Sequence, residues 1–372
     1  MTRRIYADHA ATSWPKPPGV IDAMTDFAKR VGVSHGRGGS AAAMESARLV
    51  DRCRGRLRQL FGVDSDEQIV FTAGGTDGLN LVIRGLLRAG DQAVASQVDH
   101  NAVLRPLAAS AGVTTIVVAD RTGTVDREQW VAACDGTVRL ACINHASNVT
   151  GTVQPVVELA AAAKKAGAVV LLDACQTAGD PSVDWPSLGV DYIATGTHKG
   201  LLGVLGLGVL VAMDPNAPRP LPLRYGGTGT QSESLEQPFD LPHRYEAGSL
   251  NTPAIAALDA ALARRDGLVT PDLTELDVAL DESGWHVAGV GTQRMGTRCI
   301  WHEAMTASEV ASVLEGAFGI ESRAGLHCAP LMHRAIGTPP GGAVRLSFGP
   351  TSRPDDVAAV ADAVRQLAAV PS

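Results

Sequence analysis

Residues 168–199 read AVVLLDACQTAGDPSVDWPSLGVDYIATGTHK and decide the fold class. The stretch holds two short apolar runs, VVLLD and YIATG, which end at Asp173 and just before His198 and Lys199. Short runs that are apolar on both faces are typical of buried parallel strands. Because the carboxyl ends of parallel strands lie along one edge of a sheet, the polar residues there predict a ligand-binding crevice at that edge.

The same alternation of apolar runs and helical segments continues in both directions along the chain. Strands are predicted at 69–74, 92–96, 114–119, 139–146, 168–174, 191–196 and 206–212. Between them, Ala- and Leu-rich stretches with helical spacing predict helices at 41–61, 76–88, 100–111, 126–134 and 155–166. Strands that alternate with helices form a mainly parallel sheet, so we expect an α/β fold around one seven-stranded sheet.

A smaller α/β unit is predicted after a long segment without periodicity. Residues 214–250 are rich in Pro and Gly, which predicts a long loop, and we expect this loop to form a wall of the active site. Beyond it, the pattern predicts helices at 252–265, 272–283, 306–318 and 354–369, and strands at 285–290, 298–302 and 343–348. The stretch 322–340 has little periodicity and is expected to be a loop, although it carries one Cys, two His and two Arg.

Composition and charge narrow the class of function. The chain has 372 residues, of which 45% are hydrophobic and 19% charged, so it can bury a core of more than one domain and is not disordered. Its formal net charge is -7, and no local basic patch is found, which argues against a nucleic-acid partner. We therefore expect small-molecule chemistry.

The cysteines and the start of the chain indicate a reducing compartment. The six cysteines are scattered, with no CxxC pair and no Cys/His cluster at zinc-ligand spacing, so neither disulfides nor a metal is expected. Two arginines stand near the start, but no apolar run follows them, and no segment is long enough to span a membrane. We expect a cytoplasmic protein without a membrane partner.

Two residues at strand ends suggest cofactor chemistry. Lys199 follows a strand, where a partly desolvated amine can form a Schiff base with a carbonyl compound, although a solvated surface lysine is the more common case. Asp173 ends another strand and suits the partner of a pyridinium nitrogen, whereas a helix N-cap explains its position equally well.

Two weaker signals point the same way. The segment FTAGGTDGLN, residues 71–80, is a strand, a Gly-Gly turn and a helix start, so Gly75 and Thr76 would present N–H groups and a hydroxyl to a phosphate. His100 follows the strand at 92–96 and could stack on an aromatic cofactor, but a lone histidine there is more often an ordinary turn residue.

Nine segments together resemble the class V aminotransferase family, and specifically its pyridoxal 5'-phosphate (PLP)-dependent cysteine desulfurases. They are YADHAATSWPKP, FTAGGTDGLN, DHNAVLRPL, NHASNVTG, LLDACQTAG, the THK at 197–199, YEAGSLNTP, RAGLHCAP and VRLSFGP, in the family's order from residue 6 to residue 350. The resemblance implies PLP fold-type I and a homodimer. It also implies a large PLP-binding domain, 16–250, and a small domain formed by 251–372 together with 1–15.

The resemblance implies a role for each matching site residue. Around PLP, it makes Lys199 the Schiff-base lysine and general base, His100 the stacking residue, Asp173 the pyridinium partner, Gln176 the donor to the ring oxygen O3', and Thr76 and His198 the phosphate ligands. It places Asn148 near the ring hydroxyl and the substrate, Arg345 and Arg323 at the substrate carboxylate, and Ser249 at the phosphate of the neighbouring subunit.

Cys328 decides the predicted reaction. It stands in RAGLHCAP, as in desulfurases with a short RxGxHC loop, where a thiolate could attack the sulfur of bound L-cysteine. The products would be L-alanine and a persulfide on Cys328, from which a reductant or an acceptor protein takes the sulfur. A cysteine is ordinarily a small buried hydrophobic residue, and we expect this role for Cys53, Cys134, Cys142 and Cys299. For Cys175 we expect a packing role.

Three departures from the family pattern lie near the cofactor motifs. Gly196 and Thr197 reverse the usual order of a hydroxyl residue and Gly, Gly203-Val204 stands for the usual Gly-Pro, and His9 stands where Asn is common. They predict that one phosphate contact differs from the family's and that the choice of substrate can differ too.

Several alternatives remain open from the sequence. A PLP-dependent C–S β-lyase would release pyruvate and ammonia without a nucleophilic cysteine, and a selenocysteine lyase would use the same chemistry on another substrate. A non-catalytic sulfur-transfer partner would need neither Lys199 nor Asp173. The complete RAGLHCAP segment and the intact Lys199, Asp173 and His100 favour the desulfurase.

Overall fold

The predicted strands and helices are present in the computed structural model of the protein, which describes residues 3–35, 39–110 and 112–369. The strands are β1 (Ile5–Tyr6), β2 (Ile69–Thr72), β3 (Gln92–Ser96), β4 (Val113–Val117), β5 (Val138–Asn144), β6 (Val169–Asp173), β7 (Tyr192–Gly196), β8 (Gly208–Ala212), β9 (His286–Val287), β10 (Thr297–Trp301), β11 (Ile320–Glu321), β12 (Arg323–Gly325) and β13 (Ala343–Ser347). The α-helices are α1 (Val20–Arg30), α2 (Ala41–Phe61), α3 (Gly75–Leu86), α4 (Asn101–Ala109), α5 (Arg127–Ala133), α6 (Val156–Lys165), α7 (Thr252–Leu262), α8 (Thr274–Glu282), α9 (Ala307–Phe318), α10 (Pro330–Ile336) and α11 (Pro354–Ala368).

Strands β2 to β8 form one sheet in the order β2-β8-β7-β6-β5-β3-β4. The pairs from β7 across to β4 are parallel, whereas β8 pairs antiparallel with both β2 and β7. In this register Asn144 of β5 lies opposite Asp173 of β6. The predicted α/β class and mainly parallel seven-stranded sheet are confirmed, and the ends of β5, β6 and β7 meet at one edge.

Helices cover both faces of the central strands of this sheet, which explains why β5, β6 and β7 are largely apolar, whereas the edge strand β4 is mostly exposed. Val170 and Leu172 of β6 pack into a core with α2, α5, α6 and α7. Val169 and Leu171, which point the other way because side chains alternate along a strand, pack into a second core with α3 and α4. Both cores hold the strand ends in fixed positions.

The C-terminal part of the chain forms a second, antiparallel sheet in the order β12-β13-β10-β9. Helices α8, α9 and α11 contribute to its separate hydrophobic core. The start of the chain joins this part, since β1 pairs in parallel with β11 and Asp8 forms a bridge with Ser347. Residues 5–8 therefore pack with the C-terminal part of the chain.

Helix α7 begins where the second domain was predicted to begin, yet it packs on the larger body. Ala257 and Ala261 of α7 share a cluster with Val20 of α1, and α7 also packs against α2. The division into 16–250 and 251–372 with 1–15 stays a prediction, and the packing of α7 favours a boundary on its carboxyl side.

The prediction that residues 322–340 form a loop is wrong in part, because the stretch contains β12 and α10. Helix α10 has Pro330 in its first turn and ends at Gly337, whose φ of 74° suits glycine. Its seven residues make too few turns for a helical period to show in the sequence. Helix α1 was also not predicted, although Val20, Met24 and Phe27 have helical spacing and were a usable signal.

Residues 214–250 are all described and contain no helix or strand, as predicted. The loop is anchored at its end by Glu246, which forms a buried ion pair with Arg54 and accepts a hydrogen bond from the N–H of Phe71 at 2.7 Å. Among the described residues, no helix has the length and apolar character needed to cross a membrane.

Candidate active site

A cavity lies at the carboxyl ends of β5, β6 and β7, where the sheet topology predicts a crevice. It brings together eight of the predicted site residues: Gly75, Thr76, His100, Asn148, Asp173, Gln176, His198 and Lys199. Ala102, Asn144, Cys175 and Gly196 complete the lining. The cavity measures about 90 Å³ and shares Thr76, His100 and Ala102 with a groove of about 440 Å³ that is also lined by Cys328.

The N-terminus of α3 forms one end of this cavity. In the described part of the chain, the N–H groups of Gly75 and Thr76 donate to no other backbone group. A Cβ atom at Gly75 would collide with Sγ of Cys175 and lie 3.0 Å from the backbone N of Gly196. Only glycine therefore lets the helix start this close to β7, and its open N–H groups suit an anion such as a phosphate.

His198 presents an unsatisfied nitrogen beside the helix start. Its Nδ1 is buried and has no hydrogen-bond partner within the described residues. Burial, with Lys199 and Lys16 nearby, lowers the pKa of His198 to about 4, so the ring is neutral at neutral pH. A buried polar atom without a partner at a cavity wall fits a ligand contact.

Lys199 follows β7, is partly buried and lines the cavity. Burial lowers the pKa of its amine, and the negative charge of Asp173 opposes this shift. Lys199 is therefore not the solvated surface lysine that was its common alternative. A lowered pKa increases the fraction of free amine, which is the form that reacts with a carbonyl group.

Asp173 ends β6 and is nine-tenths or more buried. Its Oδ1 accepts a hydrogen bond from the N–H of Cys175 at 2.9 Å, and the residues that follow form turns. Since no helix starts there, the N-cap alternative does not apply. The carboxylate stands at the cavity wall opposite Asn144 in the strand register.

His100 is the N-cap of α4, and its Nδ1 accepts a hydrogen bond from the N–H of Ala102 at 3.0 Å. The proton of the neutral ring must therefore be on Nε2. Burial is the largest cause of the lowered pKa of His100. The ring belongs both to the cavity and to the groove that holds Cys328.

Arg323 and Arg345 lie outside the cavity lining but directly opposite each other on β12 and β13. Arg345 is buried, with Nη2 paired to Asp8 and Nη1 donating to the carbonyl of Asn148 at 3.1 Å. Its Nε has no partner within the described residues, and Arg323 is exposed. The positive charges of these two arginines repel each other, which destabilises the pairing of the two strands. An anion bound between the arginines would reduce this repulsion.

Cys328 is the exposed one of the six cysteines, all of which are described and unpaired. His327 and Cys328 have φ values of 51° and 57°, in the left-handed region that side chains disfavour. The carbonyl of Cys328 accepts a hydrogen bond from the N–H of Asn101 at 2.8 Å, which ties this turn to the start of α4.

Of the four cysteines predicted to be buried, three are buried, and Cys134 is only partly so. Cys53, Cys142 and Cys299 are buried, and Cys134 and Cys175 are partly buried. Burial raises the pKa of all five thiols, that of Cys134 to about 11 and that of Cys299 to about 12. These thiols are protonated at neutral pH.

Ser249 lies on the exposed loop and does not line the cavity of its own chain. Its predicted contact, with the phosphate in a neighbouring subunit, stays a prediction. No residue of 214–250 lines this cavity either, so the interpretation of the loop as an active-site wall finds no support within one chain.

The structure shows where the residues that depart from the family pattern lie. Gly196 lines the cavity without a hydroxyl, and the hydroxyl of Thr197 donates to the carbonyls of Val204 and Leu207 at 3.1 and 3.0 Å. His9 lies instead in a second cavity of about 230 Å³, which shares Gln176 and Lys199 with the first.

Sequence reasoning missed Asn144, Asp8 and Asn101 as contributors to the site. Asn144 ends β5 at the same sheet edge as Asp173, and that position was a usable signal. Asp8 and Asn101 act through contacts with Arg345 and Cys328, which are distant in sequence, and nothing local shows such contacts. No cluster of three or more His, Cys, Asp or Glu suited to a metal occurs among the residues that the structure describes.

Comparison with known proteins identifies the family. A sequence profile described as aminotransferase class-V matches residues 5–269 and 272–360, and the chain belongs to this family. The probable cysteine desulfurase of Methanothermobacter thermautotrophicus is 30% identical over 98% of this chain and 94% of its own length. The cysteine desulfurase of Yersinia pestis is 32% identical over 88% of this chain and 85% of its own length.

Solved structures give the same answer for the fold. The apo structure of the cysteine desulfurase from Thermococcus onnurineus has a TM-score of 0.90 at 27% identity and covers 98% of this chain and 94% of that chain. The cysteine desulfurase CsdA from Escherichia coli has a TM-score of 0.82 at 25% identity, with coverages of 97% and 94%. The sequence-based assignment to the class V aminotransferases, and to the cysteine desulfurases among them, is confirmed, and this family implies PLP.

Proposed function

We propose that this protein is a PLP-dependent cysteine desulfurase, which converts L-cysteine to L-alanine and takes the sulfur onto Cys328 as a persulfide. The observation that carries the proposal is the place of Cys328. This exposed thiol lines a groove that shares Thr76, His100 and Ala102 with the cavity around Lys199. A β-lyase has no use for a thiol held at that point.

The cavity fits PLP in three separate respects. The open N–H groups at the start of α3 and the unsatisfied Nδ1 of His198 suit its phosphate. The buried carboxylate of Asp173 and the partly buried amine of Lys199 line the same space, as a pyridinium ring with an aldehyde requires. In this proposal Gly75, Thr76 and His198 would hold the phosphate, Asp173 and Gln176 would bind the ring, His100 would pack against it and Lys199 would supply the amine that reacts with the aldehyde.

The cofactor, when bound, supplies an electron-withdrawing ring that stabilises negative charge on the α carbon of the substrate. Asp173 would keep a proton on the ring nitrogen, because a buried carboxylate favours a positive partner. Lys199 removes the α proton, and its lowered pKa gives it the free amine that a general base needs. Asn148, at the cavity wall, orients the substrate beside the ring.

Arg345 and Arg323 bind the substrate carboxylate in this proposal. The two arginines lie opposite each other on β12 and β13, so the site has excess positive charge. In addition, Nε of Arg345 lacks a hydrogen-bond partner among the described residues. An arginine prefers a planar carboxylate, which accepts two of its N–H groups. The ion pair with Asp8 keeps the guanidinium of Arg345 in place.

Sulfur transfer follows from the position of Cys328. Its thiolate attacks the substrate sulfur, so an S–S bond forms while the Cβ–S bond breaks. The electron pair of the broken bond stays on the carbon side, which takes up a proton and leaves as L-alanine. L-cysteine and the Cys328 thiol thus give L-alanine and a Cys328 persulfide, with all atoms accounted for.

A thiol-bearing acceptor protein then takes the sulfur through the groove beside Cys328. The groove lining contains Arg84 and Arg105, which are exposed and form no ion pair within the described residues, and it contains no carboxylate. In a chain with a net charge of -7, a cationic groove at the sulfur atom favours an acceptor whose thiol stands near acidic residues.

A homodimer in the cytoplasm completes the proposal. The loop 214–250 exposes Tyr225, Leu235 and Phe239, which is unusual for apolar side chains unless another surface covers them. A partner copy seated there would bring Ser249 towards the neighbouring phosphate. Six unpaired cysteines suit a reducing compartment.

The test is product analysis. PLP-loaded protein is incubated with L-cysteine and a thiol reductant, and alanine, sulfide and pyruvate are quantified together, with Cys328→Ala as the control. Alanine equal to sulfide, and the loss of both in the variant, is expected. Pyruvate equal to sulfide, or full sulfide release by Cys328→Ala, would show a β-lyase instead, and turnover of selenocysteine alone would show a selenocysteine lyase.

A further inference from the structure

The turn that carries Cys328 rests on two buried imidazoles that are not part of the cofactor cavity. Nδ1 of His327 lies 3.0 Å from Nε2 of His333, which belongs to α10. The two rings stack with their centroids 5.2 Å apart. Their relative exposures are 5% and 2%, so water does not compete for these nitrogens.

The hydrogen bonds assign every proton in this chain of groups. Nε2 of His327 lies 3.0 Å from the carbonyl of Arg323, which can only accept, so Nε2 carries the proton. Nδ1 of the neutral His327 must then accept from Nε2–H of His333. Nδ1 of His333 in turn accepts from the hydroxyl of Thr338 at 2.9 Å.

Both rings have to be neutral for this arrangement. A proton on Nδ1 of His327 would face the Nε2–H of His333 and break their hydrogen bond. The surroundings disfavour such a charge, since burial and the positive charge of Arg345 lower the pKa of His327 to about 3 and that of His333 to about 4. Arg323 lowers the pKa of His327 further.

The chain of hydrogen bonds supports a backbone turn that needs support. His327 and Cys328 are both left-handed, which is rare for residues with side chains. The carbonyl of His327 accepts from Nδ2 of Asn148 at 2.7 Å, and that of Cys328 accepts from the N–H of Asn101. These two bonds hold the carbonyls, and His333 holds the side chain of His327.

We propose that His333 is a positioning residue for sulfur transfer, which acts through His327 to keep the Cys328 thiol at the mouth of the cofactor cavity. His333 does not line the cavity, and its hydrogen-bonded link to the Cys328 turn runs through His327. The proposal rests on the proposed function, because only a desulfurase needs that thiol.

Two substitutions of similar size separate a hydrogen-bonding role from a packing role. His333→Leu fills the space but can neither donate to His327 nor accept from Thr338. His333→Gln keeps one N–H donor and one acceptor. Both variants are loaded with PLP and tested on L-cysteine and on β-chloro-L-alanine, from which chloride leaves and pyruvate and ammonia form without attack by Cys328.

We expect His333→Leu to lower kcat with L-cysteine by about tenfold or more, the effect of losing a buried hydrogen bond, while elimination from β-chloro-L-alanine changes by less than about twofold. The rate at which iodoacetamide alkylates Cys328 should change in this variant, because the thiol is no longer held in its position. His333→Gln should recover most of the activity with L-cysteine.

Three results would overturn this proposal. They are an equal loss of both reactions in His333→Leu, no loss of either, and no rescue by His333→Gln. Failure of the proposed function would look different, because the unsubstituted protein would then form no alanine from L-cysteine while still eliminating chloride from β-chloro-L-alanine.

Discussion

At the scale of single residues, burial decides the chemistry of Lys199. The pKa of its amine is lowered because desolvation inside the cavity disfavours the charged form, and the negative charge of Asp173 moderates the shift. An amine in such a position is both nucleophile and base. Burial also raises the pKa of the five other thiols, so these are protonated. Cys328 is exposed and is the cysteine that lines the groove.

Replacement of Lys199 tests this residue directly. Lys199→Ala should remove the visible absorbance of bound PLP linked to the protein and lower turnover of L-cysteine by about 10²-fold or more, since a general base is lost. The matched control is Lys165→Ala, which removes an exposed lysine of α6 far from the cavity. Retained absorbance and turnover in Lys199→Ala would contradict the assignment.

Most cavity residues were predictable from the sequence because they sit where apolar runs end. Lys199, Asp173 and the Gly75 turn each mark the carboxyl end of a strand, and the fold brings those ends together. The ion pair of Arg345 with Asp8 and the hydrogen bond of His327 with His333 were not predictable. Both depend on side-chain contacts across elements, which no local pattern shows.

At the scale of elements, the hypothesis about substrate binding rests on the paired strands β12 and β13. The strands are short, and β12 was missed because three residues cannot show an alternating pattern. Their register places Arg323 opposite Arg345. Most strands of the large sheet were found because they are buried on both faces, and the exposed edge strand β4 was found from its β-branched residues, whereas α10 and β12 are too short to repeat a pattern.

Replacement of Arg323 tests this pair. Arg323→Gln should raise KM for L-cysteine about tenfold with a smaller change in kcat, since a charge-assisted hydrogen bond to the carboxylate is lost. Because it also removes a like charge facing Arg345, the variant should be no less stable to urea than the unsubstituted protein. Arg334→Gln, at an exposed position of the neighbouring helix α10, is the control. An unchanged KM in Arg323→Gln would remove this residue from the substrate site.

At the scale of the whole molecule, the exposed loop 214–250 predicts a second copy. Leu235→Asp combined with Phe239→Asp should shift the protein from dimer to monomer in light scattering coupled to gel filtration, because two charges cannot be buried in an apolar contact. Ser249→Ala should keep the dimer and weaken PLP retention. A monomeric unsubstituted protein would contradict both expectations.

Buried histidines predict how the whole molecule responds to acid. Burial lowers the pKa of His145 to about 4, and its ordinary value is 6.5. Between these values the unfolded chain binds a proton that the folded chain does not, so the free energy of unfolding falls as the pH falls from 6.5 towards 4. His9, His198 and His333 add to the same loss.

The substitution His145→Gln tests the contribution of one of these histidines to the pH dependence of stability. Urea unfolding of the variant and of the unsubstituted protein, with equal PLP content, should give free energies that converge as the pH falls below 6.5. The slope should differ by up to about 1.4 kcal/mol per pH unit, the value of one proton. Parallel curves would show that His145 is not buried as a neutral ring.

The measurement that tests the central claim most directly is the mass of the protein after reaction with L-cysteine in the absence of a reductant. Each PLP-loaded chain should gain the mass of one sulfur atom, located on Cys328 by peptide mapping, together with one alanine released. Cys328→Ser should bind PLP and gain no sulfur. Alanine formed without added mass on Cys328, or sulfur found on Cys175 instead, would contradict the account.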